Sequence, residues 1–239
     1  MKLLTTVIIL IPLFCFSQIE KRQWDFPVKP GCKEWNAFGT EKDRISAMQV
    51  PIELLNSMSS EDLVLTCVNF PLFGYFTAFN TPQEGFNIMF SKFNIFSKIC
   101  EKDSISRHLI KIYEDAGMNG WRNMGNQLHN KYWTLKLNYL EYLIGQKEIV
   151  LNLDKKGKIQ LIKLAKLKYN QKRASESFNS LSGLSSSLFL ISRILNSDKK
   201  LTKSSSDLKL LQHFLDTGQL VNTESIDIIL YSSELYLNL

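Results

Sequence analysis

Apolar residues recur at three- and four-residue spacing through most of the chain, the period of helices buried along one side. They are densest from Ser59 to Cys100, where the predicted helices carry their own start and stop signals. Ser59 with Asp62 three residues on forms a loose capping box. Leu63, Val64, Cys67 and Val68 then share a face until Pro71, which lacks a donor and clashes with the preceding turn, ends the helix near Phe70. Thr81, Pro82 and Glu84 repeat the start signal as N-cap, first helical residue and acid at the positive end of the dipole. Phe86, Phe90 and Phe93 follow on one face with Met89 and Phe96 beside them. Joined by the short Phe73 to Phe79 segment, these two stretches predict a helical hairpin packed into something larger.

Before this hairpin, residues 18–58 are rich in Trp, Phe and Pro without periodicity, which predicts an extended arm pinned to the body by its aromatic side chains. Pro27 and Pro30 keep its first part out of helix, and Glu41–Met48 and Pro51–Met58 read as short helices. After Cys100, Asp103 can cap a helix carrying Ile105, Leu109, Ile112 and Ala116, with Gly117 as its stop. Asn126–Gly145 bears two apolar stripes, one through Leu128, Tyr132, Leu135, Tyr139 and Tyr142 and another through Trp133, Leu137, Leu140 and Ile144, so it is expected to be sandwiched. Lys158–Arg173 with Ser175–Asn196, and Asp207–Thr217 with Thr223–Leu237, form two further pairs, the last broken at Gly218. Ile149–Leu153 is the only β-like fragment.

These elements predict an all-α chain: stacked antiparallel hairpins in a HEAT-like α-solenoid, with an irregular helical bundle as the alternative. Residues 59–239 are read as one helical domain.

The first residues, with Lys2, the apolar run Leu3–Phe16 and small residues at Cys15 and Ser17, read as a cleavable signal peptide over residues 1–17. The run is shorter than the roughly 20 residues a membrane span needs, so the expectation is a periplasmic or extracellular protein that does not span the membrane. Phe14 stands where lipid attachment at Cys15 would want a small residue. Of the +6 formal charge, Asp154–Lys209 carries +9 through thirteen Lys or Arg against four acids, which leaves the rest of the processed chain negative. Three cysteines follow the signal. The odd number leaves at least one thiol unpaired; Cys67 reads as a small buried hydrophobe, and a Cys67–Cys100 bridge is the alternative.

Phosphate loops, dinucleotide glycine patterns, His-Glu-x-x-His and Gly-x-Ser-x-Gly are absent from the sequence. No cofactor and no metal is therefore assigned. His108, His129 and His213 fall on separate predicted helices and read as boundary residues rather than ligands. Glu61, Asp62, Glu84 and Asp103 could supply the paired carboxylates of a glycan or peptide hydrolase, but capping and the helix dipole also account for all four. Cys100 and His108 stand too far apart along the chain to form a nucleophile pair.

The binding candidates are basic and aromatic. Lys155, Lys156, Lys158, Lys163, Lys166, Lys168, Lys172 and Arg173 crowd nineteen residues, interleaved with Leu161, Leu164, Leu167 and Tyr169. Such a helix could lie on an anionic membrane surface or hold an acidic polymer; the plainer reading is a solvated face whose aliphatic stems cover the core edge. Trp24 and Trp35 could line an aromatic binding surface, or only clamp the arm. Export argues against a nucleic-acid partner.

The FSQ at the signal's end, the arm with Trp24, Pro27, Pro30, Gly31 and Trp35, Pro51-Ile52-Glu53-Leu54-Leu55, SMSSEDLVLTCVNFPLF and GFNIMFSKFN together resemble uncharacterised bacterial secreted all-helical proteins, best from Trp24 to about Tyr113. The resemblance implies export and a helical, solenoid-like fold, and brings no functional residues with it. The functional expectation is thus an exported non-enzymatic protein binding another macromolecule of the cell envelope. The alternatives are a hydrolase acting on a glycan or peptide, and a peripheral envelope-surface protein that uses the basic helix.

Overall fold

The computed structural model describes residues 23–102, 104–116, 127–175, 181–201, 205–220 and 222–238. The signal-peptide segment, Asp103, Gly117 and the loose Gly120–Gly125 passage lie outside them. The described residues form an all-helical fold, without a strand among them. In chain order the helices are α1 (Lys33–Ala37), α2 (Glu41–Ala47), α3 (Ile52–Ser57), α4 (Ser60–Val68), a 3-10 turn (Phe73–Ala78), α5 (Pro82–Lys92), α6 (Asn94–Ile99), α7 (Ile105–Asp115), α8 (Gln127–Ile144), α9 (Lys147–Leu151), α10 (Lys155–Arg173), α11 (Leu181–Ser197), α12 (Ser205–Thr217) and α13 (Glu224–Leu237).

The start signals act as their chemistry requires. Ser59 Oγ accepts from the Asp62 N–H and donates to the Asp62 carboxylate, and Thr81 Oγ1 accepts from the Glu84 N–H with Pro82 at the first helical position. The arm is pinned at Phe26, which is 2% exposed and meets Phe70 edge-on at 5.5 Å. Phe70 in turn packs on Phe93 and Phe96 at 4.9 and 5.1 Å. Each fully buried aromatic group of this kind removes a large apolar area from water.

The structure departs from the periodicity in two places. The helix from Pro82 does not run on through Phe96: Phe93 turns to extended geometry and α6 begins at Asn94. Side chains satisfy the backbone groups freed there. Gln49 donates to Lys92 O and accepts from the Asn94 N–H, while the Asn94 amide pairs both backbone groups of Val50. The second departure is Ile149–Leu153, which is not β-like. Residues 147–151 form α9, burying Ile149 and Val150 against α11.

Helix α8 lies at the centre. It packs on the 3-10 turn, α5, α7 and α11, and Tyr139, Leu140, Glu141, Tyr142, Leu143 and Ile144 are buried on all sides. At Gly145 an added Cβ would stand 2.9 Å from the Phe189 ring, so α11 approaches the end of α8 closely. Helix α11 also packs on α10, α12 and α13. At α12's end Gly218 has φ +75°, the left-handed stop.

Candidate binding site

Every charged group in the middle of this helical layer has to be paired, because an isolated ion loses its hydration there. Glu141 on α8 and Lys172 on α10 are both fully buried and form an ion pair, Nζ to Oε2 2.5 Å. Lys172 also donates to Ser186 Oγ at 3.0 Å and to Asn138 Oδ1 at 3.1 Å. The other carboxylate oxygen accepts from Tyr113 Oη at 2.8 Å and Ser187 Oγ at 2.7 Å. Three helices beside α8 thus each bring polar side chains to one carboxylate. Burial holds the Lys172 pKa down, opposed by Glu141, and raises the Tyr113 hydroxyl well above its ordinary range. The Lys172–Ser186 contact has the composition of a nucleophilic dyad. Both groups are fully covered and the amine is paired to Glu141, an arrangement that holds helices together rather than one that meets a substrate.

The basic helix divides accordingly. Lys158 pairs with Asp198 at 2.5 Å, Lys166 with Glu234, Lys168 donates to Ala116 O, and Lys172 reaches Glu141. Lys155, Lys156, Lys163 and Arg173 stay exposed. The eight residues are therefore not one solvent-facing band, because helices packed around α10 bring acceptors to half of them.

Of the exposed four, Lys156 belongs to a cleft. With Arg107 and Lys111, one turn apart on α7, it lines a recess of about 510 Å³ between α7 and the start of α10. All three are exposed, and no ion pair among the described residues includes them. Ser106, Asn152 and Gln160 add neutral polar groups to the lining. Of the acids in the lining, Asp154 is turned to its capping role, its Oδ1 accepting from the Gly157 N–H at 2.6 Å, and Glu114 leaves the three cations in excess. The recess is open, polar and cationic, fit to hold an anionic group.

A second recess, of about 460 Å³, lies over α8. Leu135, Asn138 and Tyr142 give it one helix face, Ser185 comes from α11, and Phe76 and the turn at Gly218 supply walls.

The remaining candidates are placed as follows. Trp24 is half-buried, its backbone N–H donating to Thr66 Oγ1 at 3.2 Å, and Trp35 is half-buried beside Phe38 and Arg44. Neither lines either recess. Asp62 and Glu84 sit at the capped helix starts, and Glu61 is exposed in the first turn of α4; Asp103 and the His129 side chain lie outside the described residues. His108 is half-buried and His213 exposed. Among the described residues no three His, Cys, Asp or Glu side chains converge as a metal site, and no helix is long and apolar enough to cross a membrane. Cys32, Cys67 and Cys100 are free thiols. Cys67 is buried and donates to Ile95 O. Burial also raises the Cys100 thiol, to about 12.

Sequence reasoning missed Glu141, Asn138, Ser186, Arg107 and Lys111. Glu141 had a signal: one carboxylate inside the apolar run Tyr139-Leu140-Glu141-Tyr142-Leu143. Arg107 and Lys111 had none, since only the packing of α7 on α10 brings them to Lys156.

Comparison with family models, with curated protein sequences and with solved structures finds no match.

Proposed function

We propose that the chain is an exported, non-enzymatic helical protein that holds an acidic polymer of the cell envelope in the recess between α7 and α10. In this reading the helices are stacked as hairpins, in the HEAT-like or the irregular-bundle arrangement, and expose that recess along one edge. The observation that carries the proposal is the convergence of Arg107, Lys111 and Lys156 without a carboxylate partner among the described residues. Three like charges held in one concavity repel each other, and a polyanion relieves that repulsion while releasing its own counterions. Lys155, next to Lys156, extends the positive edge.

The test is retention of the purified, signal-free protein on dextran sulfate and on neutral dextran as salt is raised. Retention on the sulfated matrix alone, eluting with salt, is expected. The triple variant Arg107→Glu/Lys111→Glu/Lys156→Glu loses it, whereas Lys163→Glu/Arg173→Glu, which reverses exposed charges outside the recess, keeps most of it. Equal loss in both variants, or no retention at low salt, overturns the proposal.

A further inference from the structure

The recess over α8 owes its chemistry to the buried ion pair behind it. Asn138 lines it, and the same side chain reaches back into the Glu141–Lys172 network. Its Oδ1 is 3.1 Å from Lys172 Nζ and 2.9 Å from Ser186 Oγ. An ammonium group can only donate, so the carbonyl end of the Asn138 amide has to face inward. The Nδ2 end is then directed away from the network, toward the recess, and no acceptor among the described residues takes its hydrogens. Phe76, Pro82, Leu135, Tyr142 and Leu220 give the recess its apolar lining, with Thr77, Ser185 and Gln219 as further polar side chains, and a fixed donor set among apolar walls is the arrangement by which small-molecule sites orient a mainly apolar ligand.

The walls are held before any ligand arrives. Tyr142 Oη donates to Gly218 O at 2.8 Å, and Gln219 Nε2 donates to Asn80 O at 2.7 Å, tying the turn after α12 to the start of α5. Gly218 is required twice over: its φ is +75°, and a Cβ would come within 2.9 Å of the Tyr142 ring. Charge selects the ligand further. Glu141 and Lys172 cancel, so the floor offers a donor without net positive charge, which suits a neutral acceptor better than a carboxylate or phosphate.

We infer that this recess is a second ligand site, lined by residues other than those of the basic cleft, and that it takes a small neutral apolar molecule through a single carbonyl hydrogen-bonded to Asn138 Nδ2.

The probe is prodan, a neutral naphthalene ketone whose emission responds to its surroundings and to hydrogen bonding at the carbonyl. Titration into the purified protein is expected to saturate at one dye per chain, with 6-propyl-2-dimethylaminonaphthalene, in which a methylene replaces the carbonyl, bound about tenfold more weakly, the loss of one net hydrogen bond. Asn138→Ala brings prodan down to the level of that analogue. Because Asn138→Ala also deprives Lys172 of an acceptor, Thr77→Trp serves as the second variant: Thr77 is exposed at the rim, and an indole there blocks entry while leaving the buried network intact. Prodan binding no tighter than the analogue, or unchanged in Thr77→Trp, overturns the inference. Tighter binding of the anionic dye 1-anilinonaphthalene-8-sulfonate overturns its neutral-ligand part.

Discussion

Glu141 and Lys172 belong to helices α8 and α10, yet neither exposes any surface and their charged atoms are in direct contact. A pair of this kind contributes little net stability, because desolvation offsets attraction, but breaking it leaves a bare ion inside. Lys172→Met is therefore expected to destabilise by about 3–5 kcal/mol. Adding Glu141→Gln removes the stranded charge and keeps an acceptor for Tyr113 and Ser187, so the double variant is expected to regain a large part of that loss. Urea unfolding of the single and double variants measures it. A double variant less stable than Lys172→Met shows that the charge is not what the single change strands.

How much of this was legible follows from how far each residue reaches. Ser59, Thr81 and Gly218 act on backbone within three or four residues of themselves, and their chemistry is written locally. Gln49 and Asn94 act across 45 residues, so the break at Phe93 cannot be read from the apolar period that runs through it. The basic helix was misleading for the same reason. Lys158, Lys166 and Lys172 look like one solvated face until Asp198, Glu234 and Glu141 are brought to them from 31 to 68 residues away. The arm was easier, since buried aromatics such as Phe26 have little alternative to a core. The recesses were not legible at all: each is made where helices distant in sequence meet.

Gly85 offers a sharper test of packing. A Cβ built there would lie 2.3 Å from Phe76 O and 2.5 Å from Phe76 Cα, so α5 and the 3-10 turn touch backbone to backbone. Neither atom can swing aside as a side-chain tip would. Gly85→Ala is expected to cost about 3 kcal/mol, at the upper end for overpacking, despite the better helix propensity of alanine. Gly39, with nothing within 4 Å of its Cβ position, is the control: Gly39→Ala should stay within about 0.5 kcal/mol of the parent. Equal effects at the two positions would contradict the close approach.

Lys136 gives a pH dependence with a definite sign. Its ammonium lies 4.7 Å over the Phe73 ring and donates to Val68 O at the end of α4, and burial lowers its pKa from 10.5 to about 8. Below pH 8 folded and unfolded chains both hold the proton, and this residue adds no slope. Between pH 8 and 10.5 the unfolded chain binds more protons than the folded one, so unfolding free energy rises with pH. Burial also raises Tyr113 and Tyr139. Above about pH 10 the unfolded chain gives up their protons while the folded one keeps them, which reverses the trend. The measurement therefore belongs between pH 7 and 9, where the gain from Lys136 is about 1 kcal/mol. In denaturant unfolding, the stability of the parent relative to Lys136→Met should rise by about 1 kcal/mol across this range, a difference from which the opposing loss due to the Cys67 and Cys100 thiols, also raised by burial, cancels. A difference between parent and Lys136→Met that stays constant or shrinks over this range would remove Lys136 as its source.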